Sequence, residues 1–136
     1  MWKYNGDVLE TIPEDVIGFV YLITNLETDK KYVGKKLFRK SKKLPKTKTR
    51  KRVTRVQVES DWKDYFGSSE ALKADVALLG EDKFRREILH FCKTKGELSY
   101  KELEEQILRR VLFNQDAYYN NYVGCRIHVK HLKLSK

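Results

Sequence analysis

The 136-residue chain has few cysteines and no long apolar run. No stretch is long enough to cross a bilayer, and residues 1–10 are polar and lack the apolar core of a signal peptide. Cys92 and Cys125 are far apart and have no second pair at metal-ligand spacing, which favours buried free thiols over a disulfide. These absences argue against a membrane or disulfide-rich secreted protein, so we expect a soluble, cytoplasmic protein with no membrane partner.

The length of the chain suits one compact domain with short appendages. We expect an N-terminal arm over residues 1–17, a folded domain over 18–127 and a basic tail over 128–136.

Acidic residues are absent from the segment 35–55, which contains twelve Lys or Arg. Outside it 17 basic residues face 19 acidic ones, so this segment carries the whole basic excess of a net charge of +10. Such a block is either a solvated loop or a loop that binds a phosphate backbone and releases its counterions, and its place beside a candidate site favours the second. An anionic membrane is a weaker option because no apolar helical face accompanies the charge. The candidate phosphate-binding residues here are Lys35, Lys42, Lys43, Lys46, Lys48, Arg50, Lys51, Arg52 and Arg55.

The candidate site lies on a predicted β-hairpin directly before this block. Residues 18–24 alternate in the manner of a half-buried strand, residues 25–29 have turn chemistry, and residues 31–34 begin a second strand. The two arms carry Tyr21 and Tyr32, eleven residues apart, and Gly34 allows the backbone an unusual conformation.

Further elements are predicted downstream of the basic block. Ser69 caps a helix that ends at Gly80, and residues 84–92 form a third strand. A second helix is expected to begin near Ser99, because Ser99 and Glu102 have capping-box spacing. Its apolar face (Leu103, Ile107, Val111, Leu112) should pack on the sheet, and its polar face comprises Glu102, Glu105, Gln106 and Arg109. The predicted fold class is α/β (α+β), with a small three-stranded antiparallel sheet flanked by helices.

The residue types present suit phosphodiester hydrolysis, which needs an activated water, a neutralising cation and assistance to the leaving oxygen. A helix-borne carboxylate can hold Mg²⁺ while water and phosphate complete the octahedron. Glu102 is the first candidate and Glu104 and Glu105 are alternatives, although Glu102 could serve only as a helix cap. Tyr21 and Tyr32 are either core aromatics or acid–base groups whose phenolates nearby lysines would favour.

Two short motifs resemble the half-motifs of the GIY-YIG nuclease family, with Phe19-Val20-Tyr21 at the first and Tyr32-Val33-Gly34 at the second. Later stretches resemble small, phage-encoded, free-standing homing-type members: GKKLF, ESDWKDYFGSS, EILHFC, ELSYKELEEQ and YYNNYVGCRI. The likeness covers residues 18–127. It implies a GIY-YIG-like fold and an Mg²⁺- or Mn²⁺-dependent endonuclease that cuts or nicks double-stranded DNA, in the host cytoplasm if phage-encoded.

The resemblance also implies roles for single residues. Tyr21 and Tyr32 would act on the water in either order, Glu102 would bind the metal, and Asn120 would match an asparagine that supports the site. The family's arginine after the second half-motif is replaced here by the basic block. Arg39, the nearest in sequence, would take its place, with Lys36 or Lys35 supplying charge, and the arginines that could fold back are further alternatives: Arg50, Arg52 and Arg55.

Segment 62–65 resembles the later part of the helix that carries this arginine in the family, which adds Lys63 and Tyr65 to the candidate DNA contacts. No zinc finger or helix-turn-helix is evident, so relaxed specificity, nicking, or recognition through the loop and tail is expected. A homodimer on DNA is an option. The alternatives are a non-catalytic DNA-binding protein on the same fold and an RNA-binding protein.

Overall fold

The computed structural model describes residues 1–44, 46 and 54–124 of the chain. Seven strands and two α-helices follow one another in this part of it: β1 (Trp2–Tyr4), β2 (Asp7–Val8), β3 (Gly18–Asn25), β4 (Lys31–Leu37), β5 (Arg39–Leu44), β6 (Thr54–Glu59), α1 (Glu70–Leu79), β7 (Phe84–Cys92) and α2 (Lys95–Leu108). Three short 3-10 helices join them, at Trp62–Asp64, Glu81–Lys83 and Val111–Phe113. Within the described ranges, neither α-helix has the length and apolarity needed to cross a membrane.

The main sheet has five strands in the order β2-β1-β7-β3-β4, and β1 runs parallel to β7. The α+β class is confirmed, but the prediction of three antiparallel strands is wrong. The additional strands come from the segment predicted to be an arm. Trp2 explains why this segment joins the sheet, since its side chain is completely buried and its indole Nε1 donates a hydrogen bond to the carbonyl of Trp62 at 2.6 Å.

The predicted hairpin is confirmed by the pairing of β3 with β4, in which Tyr21 lies opposite Gly34. β3 also pairs with β7, the predicted third strand, so it is central and every one of its residues is buried. Alternate residues of β3 point to opposite faces. Phe19, Tyr21 and Ile23 enter one core with Trp2, while Val20 and Leu22 enter a second core beneath α2.

The predicted basic loop is not a loop in its described part. Its first residues complete β4, and β5 then pairs with β6 in a separate two-stranded antiparallel sheet. We call β5 and β6 the basic ribbon. Several predicted contacts (Lys48, Arg50, Lys51 and Arg52), Cys125 and the tail 128–136 lie outside the described residues. Cys92 is a buried free thiol, as expected.

The two helices differ in how well local signals predicted them. α1 begins after Ser69, whose hydroxyl accepts a hydrogen bond from Leu72 N at 3.3 Å, and ends at Gly80 with a φ of 97°, as predicted. The start predicted for α2 is wrong, because Thr94 is its N-cap and accepts from Glu97 N at 3.1 Å. Ser99 and Glu102 therefore lie inside the helix, and Glu102 is not a helix cap.

The orientation of α2 also differs from the prediction. Leu98 and Gln106 are buried, whereas the side chain of Ile107 is 59% exposed. Gln106 turns inward because its Nε2 donates to the carbonyl of Val33 at 3.2 Å, in the edge strand β4. This rotation brings Glu102, one turn earlier, towards β4 as well.

Candidate active site

Three tyrosines form a cluster on the face of the sheet opposite α2. Tyr21 comes from β3, Tyr32 from β4 and Tyr65 from the segment after the first 3-10 helix. The ring centroid of Tyr21 lies 6.2 Å from that of Tyr32 and 6.0 Å from that of Tyr65, the latter pair edge to face. Gly34 makes room for the cluster, because a Cβ at this position would overlap the hydroxyl of Tyr21.

Arg86 holds the segment that carries Tyr65. Its guanidinium donates hydrogen bonds to the carbonyls of Lys63 at 2.9 Å and Tyr65 at 2.8 Å, and lies between the rings of Trp2 and Phe66. Burial lowers the pKa of Arg86. The sequence analysis missed this residue, although it sits between the inward-facing Phe84 and Ile88 in the period-2 pattern of β7.

The hydroxyl groups of Tyr21 and Tyr32 are held neutral. Burial raises the pKa of Tyr21 well above its usual value, and the neighbouring hydroxyls of Tyr65 and Tyr32 add to the shift. Burial also raises the pKa of Tyr32, although its hydrogen bond with Ser68 Oγ, at 2.8 Å, acts in the other direction. The expectation that lysines favour the phenolates is therefore wrong for the free protein, because burial raises the pKa of both tyrosines.

Lys36 is the cation beside the cluster. It shares a strand face with Tyr32 and Gly34, and its Nζ lies 3.9 Å from the ring centroid of Tyr65. The same Nζ donates to Asp61 Oδ1 at 2.6 Å, and this hydrogen bond lowers the pKa of the Asp61 carboxyl. The Lys36 side chain is 18% exposed while that of Asp61 is 71% exposed, so the ion pair has one accessible member.

Glu102 approaches from α2. Its side chain is 18% exposed and its carboxylate lies 3.8 Å from Lys35 Nζ, which also donates to Ser99 Oγ at 2.8 Å. Burial raises the pKa of Glu102, and Lys35 partly offsets this effect. The negative charge of Glu102 makes a smaller contribution to the raised pKa of both Tyr21 and Tyr32.

Glu105, one of the two alternatives to Glu102, has its partners elsewhere. Glu105 Oε1 lies 2.9 Å from His90 Nε2, and its Oε2 lies 3.3 Å from Arg109 Nε. The first contact joins α2 to β7 and the second lies at the C-terminal end of α2, so neither involves the tyrosines. Glu102 is thus the candidate glutamate whose charge contributes to the pKa values of Tyr21 and Tyr32.

Within residues 1–44, 46 and 54–124 no group of three or more His, Cys, Asp or Glu side chains is arranged to hold a metal. A single carboxylate is nevertheless sufficient for Mg²⁺, which commonly takes one or two protein carboxylates together with waters and substrate phosphate. The charge of Glu102 meets that of Lys35 only at 3.8 Å, so its oxygens retain capacity for another partner.

Asn120 fixes the strand beneath the cluster. Its side chain is buried, its Oδ1 accepts from Val33 N at 3.0 Å, and its Nδ2 donates to Val33 O at 2.8 Å. It thereby supplies the edge strand β4 with the two hydrogen bonds that a neighbouring strand would form. Since Val33 lies between Tyr32 and Gly34, the geometry gives Asn120 a positioning role.

The remaining candidates lie on exposed surfaces. Arg39 is on β5 opposite Glu59, and none of the contacts made by the tyrosine cluster in the described chain involves it. Lys63 is exposed, with its Nζ 5.7 Å from the ring centroid of Trp62. The other described candidates are exposed too, on or near the basic ribbon: Lys42, Lys43, Lys46 and Arg55.

The described chain is an α+β domain whose first long hairpin carries two tyrosines, with a lysine on the same strand face and a glutamate on the neighbouring helix. A family model described as "Putative endonuclease segE, GIY-YIG domain" matches residues 2–123. The chain belongs to the GIY-YIG nuclease family, whose general property is endonuclease activity. Comparison with curated proteins and with solved structures finds no significant match.

Proposed function

We propose that the protein is a metal-dependent endonuclease that cuts or nicks double-stranded DNA. One observation carries this proposal: Tyr21 of β3 and Tyr32 and Lys36 of β4 lie around Gly34 on one face of the sheet, and Glu102 of α2 lies beside Lys35 of the same edge strand. A cation, a carboxylate and hydroxyl groups are the components that phosphodiester hydrolysis requires. Family membership supports the same reaction class.

The accessible tyrosine is the one proposed to contact the attacking water. Tyr32 is only partly buried, and its hydroxyl and that of Ser68 line the same open groove. Tyr21 is 1% exposed, so it serves to position Tyr32 and Tyr65. Because burial holds both hydroxyls neutral, Tyr32 orients the water by hydrogen bonding in the resting protein. Its proton is lost only once opposite charge enters the site.

Lys36 is proposed to neutralise the phosphate in place of the family's arginine. Its partner Asp61 is exposed, so a phosphate oxygen can replace the Asp61 carboxylate without entry into the core. Lysine offers a compact charge rather than the two-pronged fork of arginine. We therefore expect Lys36 to contribute charge more than orientation.

Glu102 is proposed to hold Mg²⁺ or Mn²⁺ through its carboxylate. A divalent cation bound there would supply positive charge that stabilises the phosphate as it is attacked. Binding should be coupled to the protonation of Glu102, whose pKa burial raises, and should weaken as the pH falls.

The test is cleavage of supercoiled plasmid by wild type, Glu102→Gln and the neighbouring control Glu104→Gln, with Mg²⁺, Mn²⁺ or EDTA. We expect metal-dependent nicked or linear product from wild type and Glu104→Gln, and none from Glu102→Gln. The ratio of linear to nicked DNA separates paired cleavage, which a homodimer on DNA would give, from nicking.

Two results would contradict the proposal. If wild type with either metal leaves the plasmid intact but shifts it in a gel, the protein is a DNA-binding module on a nuclease fold. If Glu104→Gln rather than Glu102→Gln abolishes cleavage, the metal ligand is assigned wrongly.

A further inference from the structure

The basic ribbon is a two-stranded sheet that stands apart from the main sheet. All but one of the residues of β5 are exposed, and on β6 only Val56 and Val58 are half-buried. The two strands carry five basic residues and one acidic residue. Because most of these side chains are exposed and the charged ones are mainly basic, the two strands are suited to bind an extended polyanion rather than to pack within the domain.

The register separates the residues of the ribbon into two faces, because directly opposite residues point the same way. On one face, here the polar face, three cross-strand pairs lie in a row: Arg39 with Glu59, Ser41 with Gln57, and Lys43 with Arg55. On the other, the valine face, the pairs are Lys40 with Val58, Lys42 with Val56, and Leu44 with Thr54.

The composition of the polar face is more varied than attraction to phosphate requires. Gln57 and Ser41 add no positive charge, but each can form hydrogen bonds with base edges, whereas Glu59 Oε1 accepts a hydrogen bond from Trp62 Nε1 at 2.8 Å. Arginine with guanine and glutamine with adenine are the characteristic two-bond pairings in the major groove. Serine and glutamine can contact phosphate as well, so base reading has to be tested separately from backbone contact.

The root of the ribbon is fixed against the candidate active site. Ser60 N donates to Phe38 O at 2.8 Å and Ser60 Oγ donates to Leu37 O at 2.7 Å, which clamps the two strands where they leave the domain. Phe38 itself is completely buried. The Lys36–Asp61 ion pair lies directly beside this clamp in sequence, so duplex held by the ribbon is held next to Lys36.

We infer that the polar face of the basic ribbon enters the major groove of duplex DNA and reads base edges through Arg55 and Gln57. This inference rests on the proposed function and adds the determinant of sequence preference. Six residue pairs at about 3.3 Å each form a ribbon about 20 Å long, and a groove about 12 Å wide admits two strands. The major groove of A-form RNA is too narrow, so the ribbon selects duplex DNA.

The experiment is selection of bound duplexes from a randomised DNA library in EDTA, followed by sequencing. Wild type, Gln57→Ala and Arg55→Ala are compared with Arg85→Ala, which removes an exposed arginine from β7 instead. Wild type and Arg85→Ala should enrich the same short motif. Each ribbon variant should lose roughly tenfold of the preference at one or two adjacent base pairs, the size expected for one two-bond contact.

Lys42→Gln, on the valine face, distinguishes base reading from loss of charge. It should weaken binding to all sequences alike and reduce the slope of log K against log salt by about 0.9, with the motif unchanged. Arg55→Lys keeps the charge and removes the fork, so it should lose the preference as Arg55→Ala does.

The inference is overturned if wild type enriches no motif, or if Gln57→Ala and Arg55→Lys enrich the wild-type motif unchanged. Because the selection contains no metal and scores binding alone, it does not depend on cleavage. A motif that wild type enriches and that changes in the ribbon variants supports the inference even if plasmid is never cut. Plasmid cleavage without such a motif supports the proposed function alone.

Discussion

The tyrosine cluster and the basic ribbon occupy neighbouring parts of the chain but use their side chains in opposite ways. In the cluster Tyr21 is 1% exposed, and Arg86, which holds the segment carrying Tyr65, is 6% exposed. In the ribbon every basic side chain is exposed. Positions in the first region are therefore fixed by packing, so a change there should alter folding or chemistry. Those in the second interact mainly with solvent, so a change should alter binding alone.

The largest effect is expected where the two regions compete for one role, the neutralisation of phosphate. Lys36→Gln removes the charge beside the cluster and should lower the single-turnover cleavage rate by about 10²–10³-fold, as loss of one charge-stabilising group typically does. Arg39→Gln, on the ribbon, should change this rate much less, and mainly affect binding. The reverse ranking, measured at saturating protein, would show that the ribbon supplies the catalytic cation.

Arg86→Lys should destabilise the fold by about 2–3 kcal/mol, because lysine lacks the planar guanidinium that packs against the rings of Trp2 and Phe66 and carries the hydrogen-bonding Nη1. The control is Arg85→Lys, an exposed neighbour on the same strand, which should change the free energy of unfolding by less than about 0.5 kcal/mol. Urea denaturation measures both. Equal effects would mean that Arg86 does not hold the Tyr65 segment.

Gly34→Ala should cost about 2 kcal/mol and lower the cleavage rate, because the added methyl group meets the hydroxyl of Tyr21. Tyr21→Leu removes both the hydroxyl and the ring carbon Cζ that the methyl group would overlap, so Gly34→Ala should cost less stability in that background, a partial recovery. Thermal unfolding of the single and double variants tests this. No recovery would show that Gly34 is needed for another reason.

Glu102→Gln should abolish activity and should raise the free energy of unfolding at neutral pH. The buried carboxylate has a raised pKa, so the fold binds its proton more tightly than the unfolded chain does. That contribution is fully present below the unfolded pKa and is lost as the pH rises through the folded one. The advantage of the variant should therefore vanish near pH 4, in contrast to Glu104→Gln, which should match wild type in thermal melts throughout.

The smallest effect on stability is expected in the ribbon. Lys42→Gln with Lys43→Gln should change the free energy of unfolding by less than about 0.5 kcal/mol, since both side chains are exposed. The same variant should reduce the salt slope of DNA binding by about 1.8, or 0.9 for each phosphate contact. A large loss of stability would contradict the separation of the two regions, and an unchanged slope would remove these lysines from the interface.

The elements that neighbouring residues along the chain determine could be predicted from the sequence. Alternation in residues 18–24 predicted β3, the turn after it predicted the hairpin, and Ser69 and Gly80 marked the ends of α1. The start and the orientation of α2, which depend on contacts with other elements and on the true cap, were predicted wrongly. Thr94 rather than Ser99 caps α2, and the side of that helix which meets β4 is chosen by the hydrogen bond between Gln106 and Val33.

The candidate active site also combines residues that local patterns indicate with partners that only the fold brings together. Tyr21, Tyr32 and Glu102 could be nominated from motifs and residue types, but the partners that arrange them could not. Arg86 is separated from Tyr65 by 21 residues and Trp2 from Trp62 by 60. No local pattern predicts such pairings, because the free energy that holds them comes from burial in the assembled core.

By itself, the sequence determined the hairpin with its two tyrosines, the resemblance to a nuclease family and the concentration of positive charge after the second strand. Periodicity, turn chemistry and charge are properties of adjacent residues, so these features need no knowledge of the fold. Only the tertiary structure decided that the N-terminal segment joins the sheet and that Lys36 stands beside the tyrosines. It also decided that burial keeps their hydroxyls neutral, because desolvation depends on what the whole chain packs around a group.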